Sequence, residues 1–102
     1  MQSRPVREHP VDDHASVMVD GAQLVDVRQP EELVEGVLPG AVNIPLGELP
    51  VRVAELDRGR RVVVVCRSGG RSGRAAEWLV HQGFDDVVNL SGGMMSLGYP
   101  VS

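Results

Sequence analysis

The stretch Arg61-Val62-Val63-Val64-Val65-Cys66-Arg67-Ser68-Gly69-Gly70-Arg71-Ser72 decides the fold of this chain. Arg61 to Val65 is strand-sized, β-branched and apolar, the pattern of a buried strand. That strand has to stop at Cys66, where a glycine-containing loop begins. A helix is expected to start near Ser72 and run to Gln82. It carries Ala75, Ala76, Leu79 and Val80 at core-compatible spacing, and Gly83 ends it.

A strand, a glycine loop and a helix N-terminus in that order make an anion cradle. Successive backbone N–H groups converge, and the helix dipole adds partial positive charge. Cys66, the only cysteine of the chain, lies in it. A free thiol has a pKa of about 8.5, and electropositive surroundings lower it to roughly 3.5–7.5, so a cradled thiol is held as its nucleophilic thiolate. A lone cysteine after a valine strand, read without its loop, would be packing. The loop is what makes it a candidate nucleophile. Gly69 and Gly70 suit a ring of inward-facing amides, which needs φ values that Cβ-bearing residues resist. Ser68 and Ser72 can add hydroxyl donors, and Ser72 can equally cap the helix. Arg67, Arg71 and Arg74 gather where a helix ordinarily favours acidic residues, which argues for an anion at the site.

Outward from this stretch, strand and helix signals alternate, the pattern of a parallel α/β sheet. Val6 to Glu8 is extended, and Asp12 or Asp13 is expected to cap a helix running to Asp20. Gln23 to Val27 is a strand. Pro30 opens a helix over 31–35, which Gly36 closes. Ala41 to Ile44 is a short strand, Leu49 to Leu56 has a weak helical pattern, and Val87 to Leu90 is the fifth strand. The expected fold is three-layer α/β/α around a five-stranded parallel sheet, with residues 1–102 forming one domain. Ligands of such sheets bind beyond the carboxyl ends of the strands. Four exits can meet there: Val27-Arg28, Pro45-Leu46, Cys66 and Ser91-Gly92-Gly93.

Composition narrows the function. A net charge of −4 argues against a nucleic-acid footprint, and no apolar run reaches transmembrane length. Arg4, Arg7, Glu8 and His9 stand where a signal peptide would be apolar. One cysteine excludes an internal disulfide framework and suits a reducing, cytoplasmic setting. His9, His14 and His81 are dispersed, with no metal-ligand spacing, and no cofactor motif is present. Asp26 and Arg28 read as a structural ion pair, Trp78 as packing, and Met94-Met95 as pocket rim.

Five landmarks, in order, resemble the rhodanese-like sulfurtransferases in their single-domain bacterial form. They are Leu24-Val25-Asp26-Val27-Arg28 with Glu31-Glu32, Leu38 to Leu46, Cys66 to Ser72, Gly83-Phe84, and Asn89-Leu90-Ser91-Gly92-Gly93-Met94. The resemblance spans roughly Val6 to Val101 and implies five parallel strands flanked by helices. It also implies that Cys66 takes a sulfane sulfur from a small donor such as thiosulfate and passes it to cyanide or another thiophile. The backbone of Arg67, Ser68, Gly69, Gly70, Arg71 and Ser72 would bind the transferred sulfur, with Arg67 and Arg71 supplying charge. Two departures stand out. Val37 replaces a histidine usual in the family, and Leu97 stands where most members carry a tryptophan. They bear on local hydrogen bonding and on how firmly the C-terminal segment, expected to be shortened, covers the site.

Loop length separates the enzymatic readings. Cysteine phosphatases and arsenate reductases of the Cys-x5-Arg kind surround a tetrahedral anion, whereas Cys66 and Arg71 stand in Cys-x4-Arg spacing. The tighter loop suits one sulfur atom. Without a second cysteine, a Cys66 persulfide has no internal thiol to discharge into. Its acceptor is then external: cyanide, a small thiol or a protein thiol. The alternative to an enzyme is a carrier that holds the persulfide for one partner protein.

Overall fold

Val62–Val65 forms the middle strand of the sheet, and all four valines are completely buried. The computed structural model describes residues 5–98 and contains five parallel strands. They are β1 (Arg7–Pro10), β2 (Gln23–Asp26), β3 (Val42–Asn43), β4 (Val62–Val65) and β5 (Val87–Ser91), in spatial order β1-β5-β4-β2-β3. The end of the resemblance at Val101 lies outside the described residues.

A strand buried on both faces needs apolar side chains at every position, and the valine run supplies them. Val62 and Val64 point to one face with Val25, Val27, Ile44, Leu49, Val87 and Cys66. There they meet Ala75, Ala76, Leu79 and Val80 of the long helix (Gly70–His81). Val63 and Val65 point the other way and pack with Leu24, Val88, Leu90, Val11, Val17 and Met94. Each buried valine contributes about 1.5–3 kcal/mol of apolar transfer free energy, an upper figure because unfolded chains already bury some surface.

Several elements depart from the sequence expectation for local physical reasons. The segment after β1 is a 3₁₀ helix, Val11–Val17, kinked at Asp13. Its buried residues, Val11 and Val17, are six apart, two turns of three residues, so 3₁₀ winding puts both on the core face. Neither Asp12 nor Asp13 caps it. Pro10 precedes it in extended conformation, and the Asp13 carboxylate instead accepts from Ser16 Oγ (2.8 Å) and pairs with His9 Nε2 (2.9 Å). Pro30–Glu35 is also 3₁₀, closed by Gly36 at φ +122°. The weak pattern over 49–56 resolves into one α-turn, α1 (Leu49–Arg52), followed by 3₁₀ residues Val53–Glu55. The long helix, α2, begins at Gly70, two residues before the expected start, and ends at His81 before Gly83 (φ +96°). One face of the sheet therefore carries α1 and α2, and the other is covered by the 3₁₀ segments Val11–Val17 and Met94–Leu97 and by Leu38 and Ala41 of the loop before β3, with no α-helix there among the described residues.

Register brings the carboxyl ends together. Asp26 lies opposite Val65, and Val64 opposite Asn89. The backbone ladder continues past the strands: Val27 N–H donates to Val65 O (3.0 Å) and Leu46 N–H to Val27 O (3.1 Å). Met94 N–H donates to Cys66 O (2.9 Å). All four expected exits meet on this side of the sheet.

Candidate active site

Cys66 follows β4 directly, and its side chain is completely buried. Three donors converge on its sulfur: Gly69 N–H (3.1 Å), Ser72 N–H (3.3 Å) and Ser72 Oγ (3.3 Å). The local reason lies in how α2 starts. A helix leaves its first N–H groups without intrahelical acceptors, and an N-cap side chain ordinarily supplies one. Here the N-cap is Gly69, which has no side chain, and the Cys66 sulfur takes the N–H of Ser72 in its place. Sulfur and helix terminus thus satisfy one another. Burial pushes the Cys66 thiol up. The hydroxyl and backbone N–H of Ser72, with the N–H groups of Gly69 and Ser68, pull it down further, so the thiol lies below its ordinary value.

Gly69 sits at φ +101°, and a Cβ there would come within 3.4 Å of Gly92 N. This is the one loop position where glycine is conformationally required. Gly70 has no positive φ, and a Cβ on it would meet open space. The expectation that both glycines are needed for backbone reasons therefore holds for Gly69 alone.

The two loop arginines differ. Arg67 and Ser68 are exposed. Arg71 makes a two-pronged ion pair with Glu32, at 2.6 and 2.8 Å. Arg71 raises no charge barrier to an anion, but its guanidinium is already engaged. The same Glu32 carboxylate accepts the N–H of Gln29 at 2.9 Å. The hydrogen bonds from Arg71 hold Glu32 at about 2, well below an ordinary carboxyl, despite partial burial.

A family model for the Rhodanese-like domain matches residues 11–97. The chain belongs to the rhodanese-like family. It is 42% identical over 73 residues to a sulfurtransferase of Allochromatium vinosum, spanning 72% of this chain and 68% of that one. Against a thiosulfate sulfurtransferase of Shewanella oneidensis the identity is 41%, covering 70% of each chain. A Bacillus subtilis protein named as a sulfur carrier is 40% identical, covering 74% of this chain and 40% of that longer one. Among solved structures, a Staphylococcus aureus rhodanese-like domain protein superposes with TM-score 0.79 at 30% identity, covering 88% and 89% of the two chains. An Escherichia coli rhodanese solved with anions gives 0.66 at 37%, covering 72% and 88%.

In this rhodanese-like domain the cysteine loop rests on the turn after β5. Met94 N–H and Met95 N–H donate to the carbonyls of Cys66 (2.9 Å) and Arg67 (3.0 Å). Gly93 lies so close beneath that a Cβ would collide with the Arg67 carbonyl group and come within 2.6 Å of Cys66 O. Met94 is core, with only Met95 exposed, so the expected pair of rim methionines separates into two roles. Leu97 packs against the core cluster that holds Met94, while Val37 is exposed.

Arg28 is completely buried and makes a two-pronged pair with Asp26 (2.7 Å between Nη2 and Oδ2). Its remaining donors reach the carbonyls of Glu32 and Gly36, which ties the Pro30–Glu35 segment to the sheet. The pair is structural, and Trp78 packs against the core. Two hollows, of about 350 and 420 Å³, lie elsewhere, and no residue of the cysteine loop, 66–72, lines either. Sequence reasoning missed Glu32 and Asn89 as parts of this site, and placed Gly93 at this end of the sheet without its close contact under the Arg67 carbonyl. All three lie in the family landmarks, but what each touches is a matter of register, not of local pattern.

Proposed function

We propose that this protein is a thiosulfate sulfurtransferase in which Cys66 carries the sulfur as a persulfide. The observation that carries the reading is the convergence of three donors on the sulfur of Cys66, a hydrogen-bonding environment that favours its anion. In the first half-reaction the thiolate attacks the outer sulfur of thiosulfate. The new Sγ–S bond forms as the S–S bond of the donor breaks, and sulfite leaves with the electron pair. In the second, cyanide or a thiolate attacks the outer persulfide sulfur, and the Cys66 thiolate departs with the bonding pair. No net oxidation occurs, so no redox cofactor enters.

The residues divide the work. Ser72 and Gly69 stabilise negative charge on Sγ both before attack and after release. Gly70 and Arg71 N–H groups, in the first turn of α2, have no intrahelical acceptor and supply donors toward the transferred sulfur. Exposed Arg67 attracts the dianionic donor. Arg71, fixed by Glu32, adds positive potential without collapsing onto the sulfur. Relatives named as sulfurtransferases, and an E. coli relative solved with anions, support this assignment. Cytoplasmic placement belongs to the same proposal, because a lone exchange-active thiol is kept reduced there.

Steady-state formation of thiocyanate from thiosulfate and cyanide tests it. Multiple turnovers are expected, and Cys66→Ser is expected to abolish them. Turnover that survives Cys66→Ser would overturn the assignment. The similarity to a protein named as a sulfur carrier favours a second reading, in which the persulfide is delivered only to a docked protein. Stoichiometric loading without turnover on cyanide would favour that carrier role.

A further inference from the structure

Asn89 is a buried polar residue on the α2 face of the sheet, in register with Val64 of β4 and Glu8 of β1. Its Nδ2 uses both hydrogens: toward the Glu8 carboxylate (2.9 and 3.2 Å to the two oxygens) and toward the Gly69 carbonyl (3.3 Å). Both neighbours on that side are acceptors, so the amide has one workable orientation. The consequence is that Asn89 Oδ1 is buried without a hydrogen-bond partner among the described residues. A buried amide that leaves one atom unsatisfied is a costly way to fill space. What it gains is the contact with Gly69.

The Gly69 carbonyl is contested. Gly73 N–H donates to it at 3.0 Å, closing the first turn of α2, and Asn89 Nδ2 approaches at 3.3 Å. Ser72 Oγ lies 3.2 Å from the same oxygen and 3.3 Å from the Cys66 sulfur. A carbonyl oxygen has two lone pairs, and a hydroxyl has one proton. Three donors compete for two acceptor sites, and the hydroxyl has somewhere else to donate.

We propose that Asn89 is a positioning residue for the reacting thiol: by occupying the second acceptor site of the Gly69 carbonyl it directs the Ser72 hydroxyl proton to the Cys66 sulfur. Without Asn89, the hydroxyl takes the vacated carbonyl site and the thiolate loses a donor. The proposal rests on the reading of Cys66 as the reacting thiol. Its readout is the ionisation of that thiol, which can be measured whether or not sulfur is transferred. The other charged groups around the cradle are Arg67 in the loop, Arg71 with Glu32, Asp26 with Arg28, and Glu8 on β1. None of them is substituted in the test, and of their contacts only the Asn89 hydrogen bonds to the exposed Glu8 carboxylate are lost.

The experiment is the pH profile of iodoacetamide alkylation, with one cysteine making the signal unambiguous. The wild type, Ser72→Ala, Asn89→Leu and the double variant are compared, with Asn89→Ala replacing Asn89→Leu should the larger side chain prevent folding. Ser72→Ala and the Asn89 variant are each expected to raise the midpoint by about one pH unit, roughly a tenfold loss of thiolate below it. In the Ser72→Ala background the Asn89 substitution is expected to add almost nothing, because the proton it directs is gone. Additive shifts would overturn the proposal, since Asn89 would then act on the sulfur independently of Ser72. An unchanged midpoint in Ser72→Ala alone would overturn it as well. Failure of sulfur transfer with this non-additivity intact would count against the proposed function and leave the positioning role standing.

Discussion

At Cys66, burial and hydrogen bonding oppose one another. A thiolate out of water is penalised, yet the donors of Ser72, Gly69 and Ser68 outweigh that penalty. The alkylation midpoint is therefore expected below the ordinary thiol value of about 8.5. The reactive form then persists at a pH where a free cysteine is mostly protonated, and a midpoint at or above that value would show that burial wins. The two loop arginines separate at this scale too. In the proposed reaction Arg67, which is exposed, acts on the donor by charge alone. Arg67→Ala is expected to raise the KM for thiosulfate about two- to fivefold, the size of an exposed charge contact, with the alkylation midpoint unmoved. Unchanged thiosulfate kinetics in this variant would remove Arg67 from the donor step. The hydrogen-bonded cradle around Cys66 was legible in the sequence because its parts are local: thiol, glycine turn and helix start are contiguous. Asn89 and Glu32 were not, because their partners lie 20 and 39 residues away and meet only through the sheet register.

At the scale of elements, the loop is held from below by the turn joining β5 to the 3₁₀ residues Met94–Leu97. Gly93, at φ +63° and ψ −172°, occupies a region reserved almost wholly for glycine, and its Cβ would strike the carbonyls of the loop. Gly93→Ala is expected to cost about 2 kcal/mol or more, since backbone strain alone accounts for roughly 1–3 kcal/mol. Denaturant unfolding measures this, and a loss within experimental error would show that the turn does not clamp the loop. Strands and the long helix were legible from valine runs, alanine spacing and bounding glycines. The 3₁₀ segments were not. Over the three to seven residues of these segments, a three-residue and a 3.6-residue period differ too little for a sequence pattern to separate them. The start of α2 was misplaced for a related reason. The acceptor that caps it is a sulfur from the preceding strand end, which no capping pattern anticipates.

For the whole molecule, the sheet order β1-β5-β4-β2-β3 places β4 in the centre and lets neighbouring strands bring Glu32 and Asn89 to the cysteine loop. The five parallel strands and the meeting of their exits followed from the alternation of the sequence, whereas the order of strands came from the structure. The Glu32–Arg71 pair links the segment after β2 to the start of α2, and it makes stability depend on pH. Glu32 is lowered from 4.5 to about 2 on folding, so its contribution is complete above pH 4.5 and is lost as pH falls toward 2. The stability difference between wild type and Glu32→Gln is expected to stay constant above pH 5 or so and to shrink through that acidic window. A difference independent of pH down to about 2 would mean that the pair forms no differently in the folded state.

The central claim is that sulfur loads onto Cys66. Intact-mass measurement after treatment with thiosulfate addresses it directly. The wild-type chain is expected to gain about one sulfur atom (~32 Da), the signature of a covalent intermediate. That gain should reverse with cyanide and be absent in Cys66→Ser. A chain that takes up no sulfur from thiosulfate or another sulfane donor, or that gains it equally in Cys66→Ser, would contradict the claim.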